Sequence, residues 1–221
     1  MIIRPAAPAE LPAVGDLTLA AYVADGFLSA TDDYADELRA AADRAAGGEL
    51  AVAVDAHGAL FGTVTFALAG TALAEVSRPG EAEFRMLAVA PSARGRGVGA
   101  ALALWCVERA RERGCTAVAI STMTLMRSAH RIYERMGFVR APNRDWWPSP
   151  QVQLIAYRLD LTAERFCDQC GEPAHDDAAC VDRRLLEPPR YCVACRRRMV
   201  VQVLPHGWSA RCSEHGVRTS S

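Results

Sequence analysis

Apolar positions recur at a spacing of two in some stretches and of three or four in others, and the changes of period mark the elements. Residues 1–5 read as a short strand ended by Pro5, and residues 8–24 as a helix with Leu11, Val14, Leu17 and Leu19 as its apolar positions. The alanine-rich run from Thr31 to Ala46 has high helix propensity and stops at Gly47-Gly48, which predicts a second helix. ELAVAVD and ALFGTVTFAL, separated by Ala56-His57-Gly58, predict a hairpin with glycine supplying the turn. The glycine-bearing stretch 69–80 reads as a loop, and AEFRMLAVA as a strand closed by Pro91. A helix then runs to about Arg113, placing Val98, Ala101, Leu102, Trp105 and Cys106 on one stripe and Glu108, Arg111, Glu112 and Arg113 at a solvated end. TAVAIST predicts a buried strand, and RSAHRIYERMG a short amphipathic helix with Ala129, Ile132, Tyr133 and Met136 in register. Residues 142–150 read as a loop, and QVQLIAYRLDL as a late strand. The order is that of a mixed α/β fold. Beyond Leu161–Phe166 the periodicity fades while cysteine, histidine and proline crowd together, so the expected domains are 1–160 and 161–221.

Composition narrows the function. With 51% apolar and 23% charged residues in 221, the chain can build a core and is not a disordered one. A net charge of -1 lacks the basic footprint of a binder that neutralises phosphates, so no nucleic-acid partner is expected. All 25 basic residues are arginine, which excludes Schiff-base chemistry and a lysine general base. No apolar run of about 18 residues appears, and the opening MIIRPAAPAELP lacks a basic segment followed by an apolar one. The expectation is a cytoplasmic protein with no membrane partner. Of the eight cysteines, only Cys106 and Cys115 precede residue 160, and such crowding in a cytosolic chain points to metal before disulfide.

The most informative segment is MLAVAPSARGRGVGAAL, where Arg94-Gly95-Arg96-Gly97-Val98-Gly99 joins a strand to a helix. Glycines permit a sharp turn and close approach of a ligand, and a helix N-terminus aims free N–H groups at an anion; a pyrophosphate suits both. The Walker pattern needs a lysine that this chain lacks, and the G-x-G-x-x-G dinucleotide pattern is not met. From Glu81 to Phe138 the chain resembles the Gcn5-related N-acetyltransferase family. That family's coenzyme A signature is matched by Arg94, Gly97 and Gly99, and its later Y-E-R-x-G-F segment by Tyr133, Glu134, Arg135, Gly137 and Phe138.

The resemblance covers about residues 1–160. It implies a mostly antiparallel central sheet flanked by helices, and transfer of an acyl group, usually acetyl, from coenzyme A to an amine acceptor. In that setting main-chain groups near Leu87 and Val89 pair with the pantetheine arm, and the amides of Arg94, Gly95, Arg96, Gly97, Val98 and Gly99 hold the pyrophosphate. The Arg94 and Arg96 side chains either add charge there or are solvated loop residues. Tyr133 is the candidate acid for the departing thiolate, against a plain core role for an amphipathic aromatic. Glu81 and Glu83 share one strand face, and Glu83 is the candidate base, directly or through water. The acceptor is expected among the first two helices, the loop between them and the late strands, with Tyr22, Phe27, Tyr34 and the 142–150 loop; the two tryptophans of Asn143-Arg144-Asp145-Trp146-Trp147-Pro148 line a slot or plug the sheet edge.

The tail reads as a separate metal module. Cys167, Cys170, His175 and Cys180 have the spacing of a zinc knuckle, with Gly171 behind the second ligand, and Cys192, Cys195, Cys212 and His215 flank the strand-like MVVQVL as in a zinc ribbon. The partition of the eight ligands is open at this point, since Cys167/Cys170 with Cys192/Cys195 is also allowed. Asp168, Glu172, Asp176 and Asp177 argue against RNA, and Arg196-Arg197-Arg198 is a basic run that meets an acidic partner or is a solvated turn. From Leu186 to Gly216 the tail is similar to the actinobacterial biotin synthase auxiliary protein family. This implies assistance to an iron–sulfur radical enzyme, with biotin synthase as a partner and with iron or a cluster in place of zinc. Two rivals to an acyltransferase therefore stand: a protein acting mainly through its tail on biotin synthase, and a non-catalytic sensor of acyl-CoA.

Overall fold

Burial of alternate residues on opposite faces builds the sheet. Along the strand at 49–54, Ala51 and Ala53 enter one core with Phe66, Phe84 and Leu102, while Leu50, Val52 and Val54 enter another with Val14 and Ala41. A strand covered on both sides has no polar face to show, which is why ELAVAVD reads as a nearly continuous apolar run. The computed structural model describes residues 1–29, 34–162, 166–175, 177–205 and 207–220. It divides into two compact units, Met1–Leu161 and Thr162–Ser221.

In chain order the first unit contains β1 (Ile2–Pro5), α1 (Leu11–Ala24), α2 (Tyr34–Arg39), α3 (Ala41–Gly47), β2 (Glu49–Val54), β3 (Leu60–Leu68), β4 (Glu81–Val89), α4 (Val98–Glu112), β5 (Ala117–Met123), α5 (Arg127–Arg135), β6 (Val139–Arg140), β7 (Trp146–Ser149) and β8 (Val152–Asp160). Sheet order is β1-β2-β3-β4-β5-β8-β6, with β7 beside β8. Neighbours are antiparallel except β4 and β5, which run parallel over Glu81–Glu83 against Ala117–Ala119. The fold is the expected mixed, mostly antiparallel sheet with helices. The second unit holds α6 (Ala178–Leu186), β9 (Val200–Leu204), β10 (Gly207–Cys212) and β11 (Gly216–Thr219), the last three forming a sheet of order β11-β10-β9. Among the described residues, no helix is long and apolar enough to cross a membrane.

Two expectations need correction. The single helix over 31–46 is two helices, α2 and α3, parted at Ala40 (ψ 56°); the predicted start at Thr31 lies outside the described residues. Arg44 explains the break: its buried guanidinium donates to the carbonyls of Glu37 at 3.1 Å and Leu38 at 2.6 Å, acceptors that an unbroken helix would spend on its own amides. The 142–150 loop contains strand β7, whose Trp146 is half-buried while Trp147 is exposed.

Buried charge fixes the late strands. Glu81 receives Arg158 Nε at 2.8 Å and Arg144 Nη2 at 3.0 Å on one oxygen, and Arg144 Nη1 with the Arg78 amide on the other. Burial pushes this carboxyl up, but the hydrogen bonds from Arg144 and Arg158 outweigh it and hold it at about 2, below its ordinary 4.5. A lowered carboxyl contributes stability above its unfolded value and loses it as pH falls through the folded one. Replacing Glu81 by Gln is therefore expected to lower unfolding stability at neutral pH by about 3 kcal/mol. Denaturant titrations should show the difference from wild type shrinking as pH falls from 4.5 towards 2.

Candidate functional site

The turn between β4 and α4 is held open by two left-handed glycines. Gly95 has φ 73° and Gly97 φ 77°, and a side chain at either meets nothing within 4 Å. The constraint is therefore backbone conformation and not space, and the front of the turn is clear. Gly97 is the N-cap of α4, no side chain caps it, and the first helical bond inside the helix runs from the Ala101 amide to the Gly97 carbonyl at 3.0 Å. The preceding amides of the first turn thus have no helical acceptor and lie at the positive end of the helix dipole.

The two arginines of the turn are engaged elsewhere. Arg94 pairs with Asp25 at 2.9 Å and donates to the Ala21 carbonyl at 3.3 Å, joining the turn to the end of α1. Arg96 stacks its guanidinium 4.5 Å above the Phe61 ring. An anion at the turn would therefore meet main-chain amides first.

Leu87 and Val89 lie where β4 has lost its second neighbour, since pairing with β5 ends at Glu83. A register shift against β3 between Thr63 and Thr65 accompanies this, and Met86 adopts φ 51°, uncommon for a side-chain-bearing residue. From there to Val89 the strand is not paired with β5, and the side chains of Val89 and Leu87 lie 3.5 and 3.6 Å from where a side chain on Gly99, in the first turn of α4, would begin.

Tyr133, on α5, is buried among Phe84, Phe138 and Tyr157, with ring centroids 5.8–6.3 Å away. Burial pushes its phenol well up, so it is protonated across the physiological range. Tyr22 of α1 is close enough for Tyr133, Tyr34, Arg85 and Arg44 to act on it electrostatically. The tyrosines named from the sequence are thus brought together.

Glu83 is put to a different use from the one expected. It is fully buried, and its Oε2 accepts the amides of Glu75 at 3.0 Å, Val76 at 2.9 Å and Ser77 at 2.9 Å. It staples the β3–β4 loop to the sheet, so of the two expected routes, direct or through water, burial leaves only the second to it. A neighbouring cluster is absent from the sequence reading: Arg85 of β4 binds Glu75 at 2.7 Å, Glu37 at 3.2 Å and the Leu73 carbonyl at 3.3 Å. The one signal for it was a charged residue inside a run of apolar strand positions, which demands a partner.

In the second unit the eight ligand residues fall into two sets in sequence order. Cys167, Cys170, His175 and Cys180 present donor atoms within 4.8 Å of one another, as do Cys192, Cys195, Cys212 and His215. Separations of 3.1 Å between Cys170 Sγ and His175 Nε2, and of 3.6–3.7 Å among Cys192, Cys195, Cys212 and His215, approach the edges of a tetrahedron with bonds of about 2.3 Å. Arg184 lies 3.5 Å from Cys167 Sγ and Arg183 3.8 Å from Cys180 Sγ, so two guanidinium groups border the first set. Asp177 caps α6, while Asp176 lies outside the described residues.

A sequence profile of the acetyltransferase (GNAT) family matches residues 15–138, more than half of the 221-residue chain, and one of the biotin synthase auxiliary protein family matches residues 199–221. The biotin synthase auxiliary protein of Mycobacterium tuberculosis is 59% identical over 67 residues, 29% of this chain and 85% of that protein. Among solved structures, a GNAT-family acetyltransferase from Staphylococcus aureus is 16% identical with a TM-score of 0.58, over 73% of this chain and 99% of that one. A protein from Salmonella typhimurium, solved with its cofactor acetyl-CoA, is 20% identical with a TM-score of 0.53, over 80% of this chain and 98% of that one.

Glu83→Ala should release the three amides at 75–77. Hydrogen exchange is expected to quicken there first, with a loss of 1–3 kcal/mol in global stability from the orphaned donors.

Proposed function

The chain belongs to the acetyltransferase (GNAT) family, with its C-terminal end in the biotin synthase auxiliary protein family, and from these memberships we propose that it is an N-acyltransferase moving an acetyl group from acetyl-CoA to an amine. The observation carrying this reading is the uncapped, glycine-built N-terminus of α4 opening beside the gap between β4 and β5. The diphosphate of the cofactor sits against the amides of 94–99, and the pantetheine arm extends the sheet along Leu87 and Val89 in place of the strand that has turned away.

The chemistry follows from that placement. The lone pair of the neutral amine attacks the thioester carbonyl; a C–N bond forms and the C–S bond breaks. Tyr133 gives its phenolic proton to the departing thiolate and recovers one from the acylated nitrogen, so the tyrosine ends as it began. Holding two reactants in one cleft supplies much of the remaining acceleration.

In the tail, each set of three cysteines and one histidine holds one metal ion, and the donors suit zinc. Such an ion supplies folding free energy to a unit too small to build a large core. His175 Nδ1 lies 3.1 Å from the Asp177 amide, so ligation through Nε2, which puts the ring proton on Nδ1, requires that contact to turn. The kinship of the tail favours a second role beside acyl transfer, in support of biotin synthase.

Three outcomes are expected. Calorimetry with acetyl-CoA should give saturable heat that Gly97→Val abolishes, because valine at φ 77° costs 1–3 kcal/mol of strain and fills the mouth of the turn. Tyr133→Phe should keep cofactor affinity and lose most thiol release. Elemental analysis should find two metal ions per chain, Cys192→Ser should remove one while leaving thiol release intact, and chelation should unfold 162–221 before 1–161.

A further inference from the structure

Glu83 is sealed inside the sheet, but the residue it holds is not. Glu75, in the β3–β4 loop, has a side chain 24% exposed, with Oε1 2.7 Å from Nη2 of Arg85. Its main-chain N–H is pinned by Glu83 Oε2 at 3.0 Å, so the carboxylate is carried on backbone that cannot drift. The other oxygen of Glu83 is buried with no partner, leaving negative charge beneath the loop only partly met. Arg85 in turn reaches Glu37 and the Leu73 carbonyl, and both residues line a cavity of about 350 Å³ that also touches Met86 at the bulge of β4. That cavity carries Asp36, Glu37 and Asp43 on its wall against the single guanidinium of Arg44, a net acidic lining suited to a cationic amine.

We propose that Glu75 is the proton acceptor for the incoming ammonium group, an assignment that rests on the transferase reading above. The ammonium gives one proton to a Glu75 oxygen and becomes the neutral amine whose lone pair attacks the thioester. Glu75 passes that proton to solvent after acyl transfer, and Tyr133 serves the thiolate; one proton is released overall. Arg85 positions the carboxylate without quenching it, since its charge is shared with Glu37. The groups facing Glu75 are Arg85 and Glu83 from β4, and Glu37 and Tyr34 from α2. Burial pushes the Glu75 carboxyl up, against the pull of Arg85, and the like charges of Glu83 and Glu37 add to the rise, to about 7. A base poised there is half ionised at neutral pH and gains activity as pH rises through that value.

The test is thiol release from acetyl-CoA with ethanolamine, glycylglycine and hydroxylamine from mildly acid to mildly alkaline pH. Ethanolamine is charged at neutral pH and needs a base; hydroxylamine is uncharged and does not. Glu75→Gln should slow ethanolamine acylation at neutral pH by about 10²-fold or more and erase the acid limb, yet keep most hydroxylamine activity and the calorimetric affinity for acetyl-CoA. Retained hydroxylamine activity also shows the variant to be folded. Arg85→Gln, which removes the charge that lowers the Glu75 carboxyl, should move the limb to higher pH. An active wild type with a Glu75→Gln profile unchanged, or with equal losses for both amines, overturns the assignment alone. A wild type that releases no thiol with any of the three overturns the transferase reading and this assignment together.

Discussion

Strands β4 and β5 pair for three residues and then separate, and the site depends on that separation. A parallel pair that continued would spend the main-chain groups of Leu87 and Val89 on the sheet, leaving nothing for a ligand that binds by extending it. Pairing with β5 ends at Glu83, the bulge at Met86 follows in the same strand, and the next helix, α4, starts at Val98 with its first amides uncommitted. A gap in the sheet and an uncapped helix end each present polar backbone groups that water otherwise meets. Side by side they become one surface on which a single elongated anion can satisfy both.

Charge in β4 is arranged around the same gap. Residues 81, 83 and 85 alternate with apolar ones, so three ionisable side chains leave the strand on one face and each needs a partner there. Glu81 is met by Arg144 and Arg158, Glu83 by three loop amides, and Arg85 by Glu75 and Glu37. Each pairing fastens a different segment to the strand that borders the cleft: the 142–145 turn, the β3–β4 loop, and α2. Anchoring by buried charge gains little net stability but penalises displacement strongly, since moving any one segment strands a charge. That trade suits a cleft whose geometry must hold while its backbone groups stay free.

Local chemistry was legible in the sequence where a few adjacent residues decide it. The Arg94–Gly99 turn, the hairpin of β2 and β3 and the spacing of the two cysteine sets each depend on short-range rules of backbone conformation or ligand reach, and they read directly. The break at Ala40 did not, because it is set by Arg44 reaching back to the carbonyls of Glu37 and Leu38, whereas alanine propensity favours continuity. Nor did the contrast between Glu83 and Glu75. Both are glutamates near a predicted cofactor turn, and only the tertiary path of the β3–β4 loop decides which is buried as a fastening and which remains accessible. The arginines of the turn show the same limit: motif position suggests phosphate contact, but Asp25 and Phe61, brought near by the fold, engage them first.

The tail follows a different economy. Among the described residues its buried apolar side chains are Cys167, Cys180, Cys192, Met199, Ala210 and Cys212, so most of them are also candidate ligands. A metal bound by these residues would be held by the same side chains that pack the unit. Large apolar side chains that would ordinarily seek a core, Leu185, Leu186, Val200 and Val203 among them, are exposed instead. That leaves little apolar burial to hold the unit, and a bound ion would help. The first unit is held by a sheet covered on both faces and needs no such help. One chain therefore joins a unit held by buried apolar area to one whose buried apolar side chains are mostly candidate ligands.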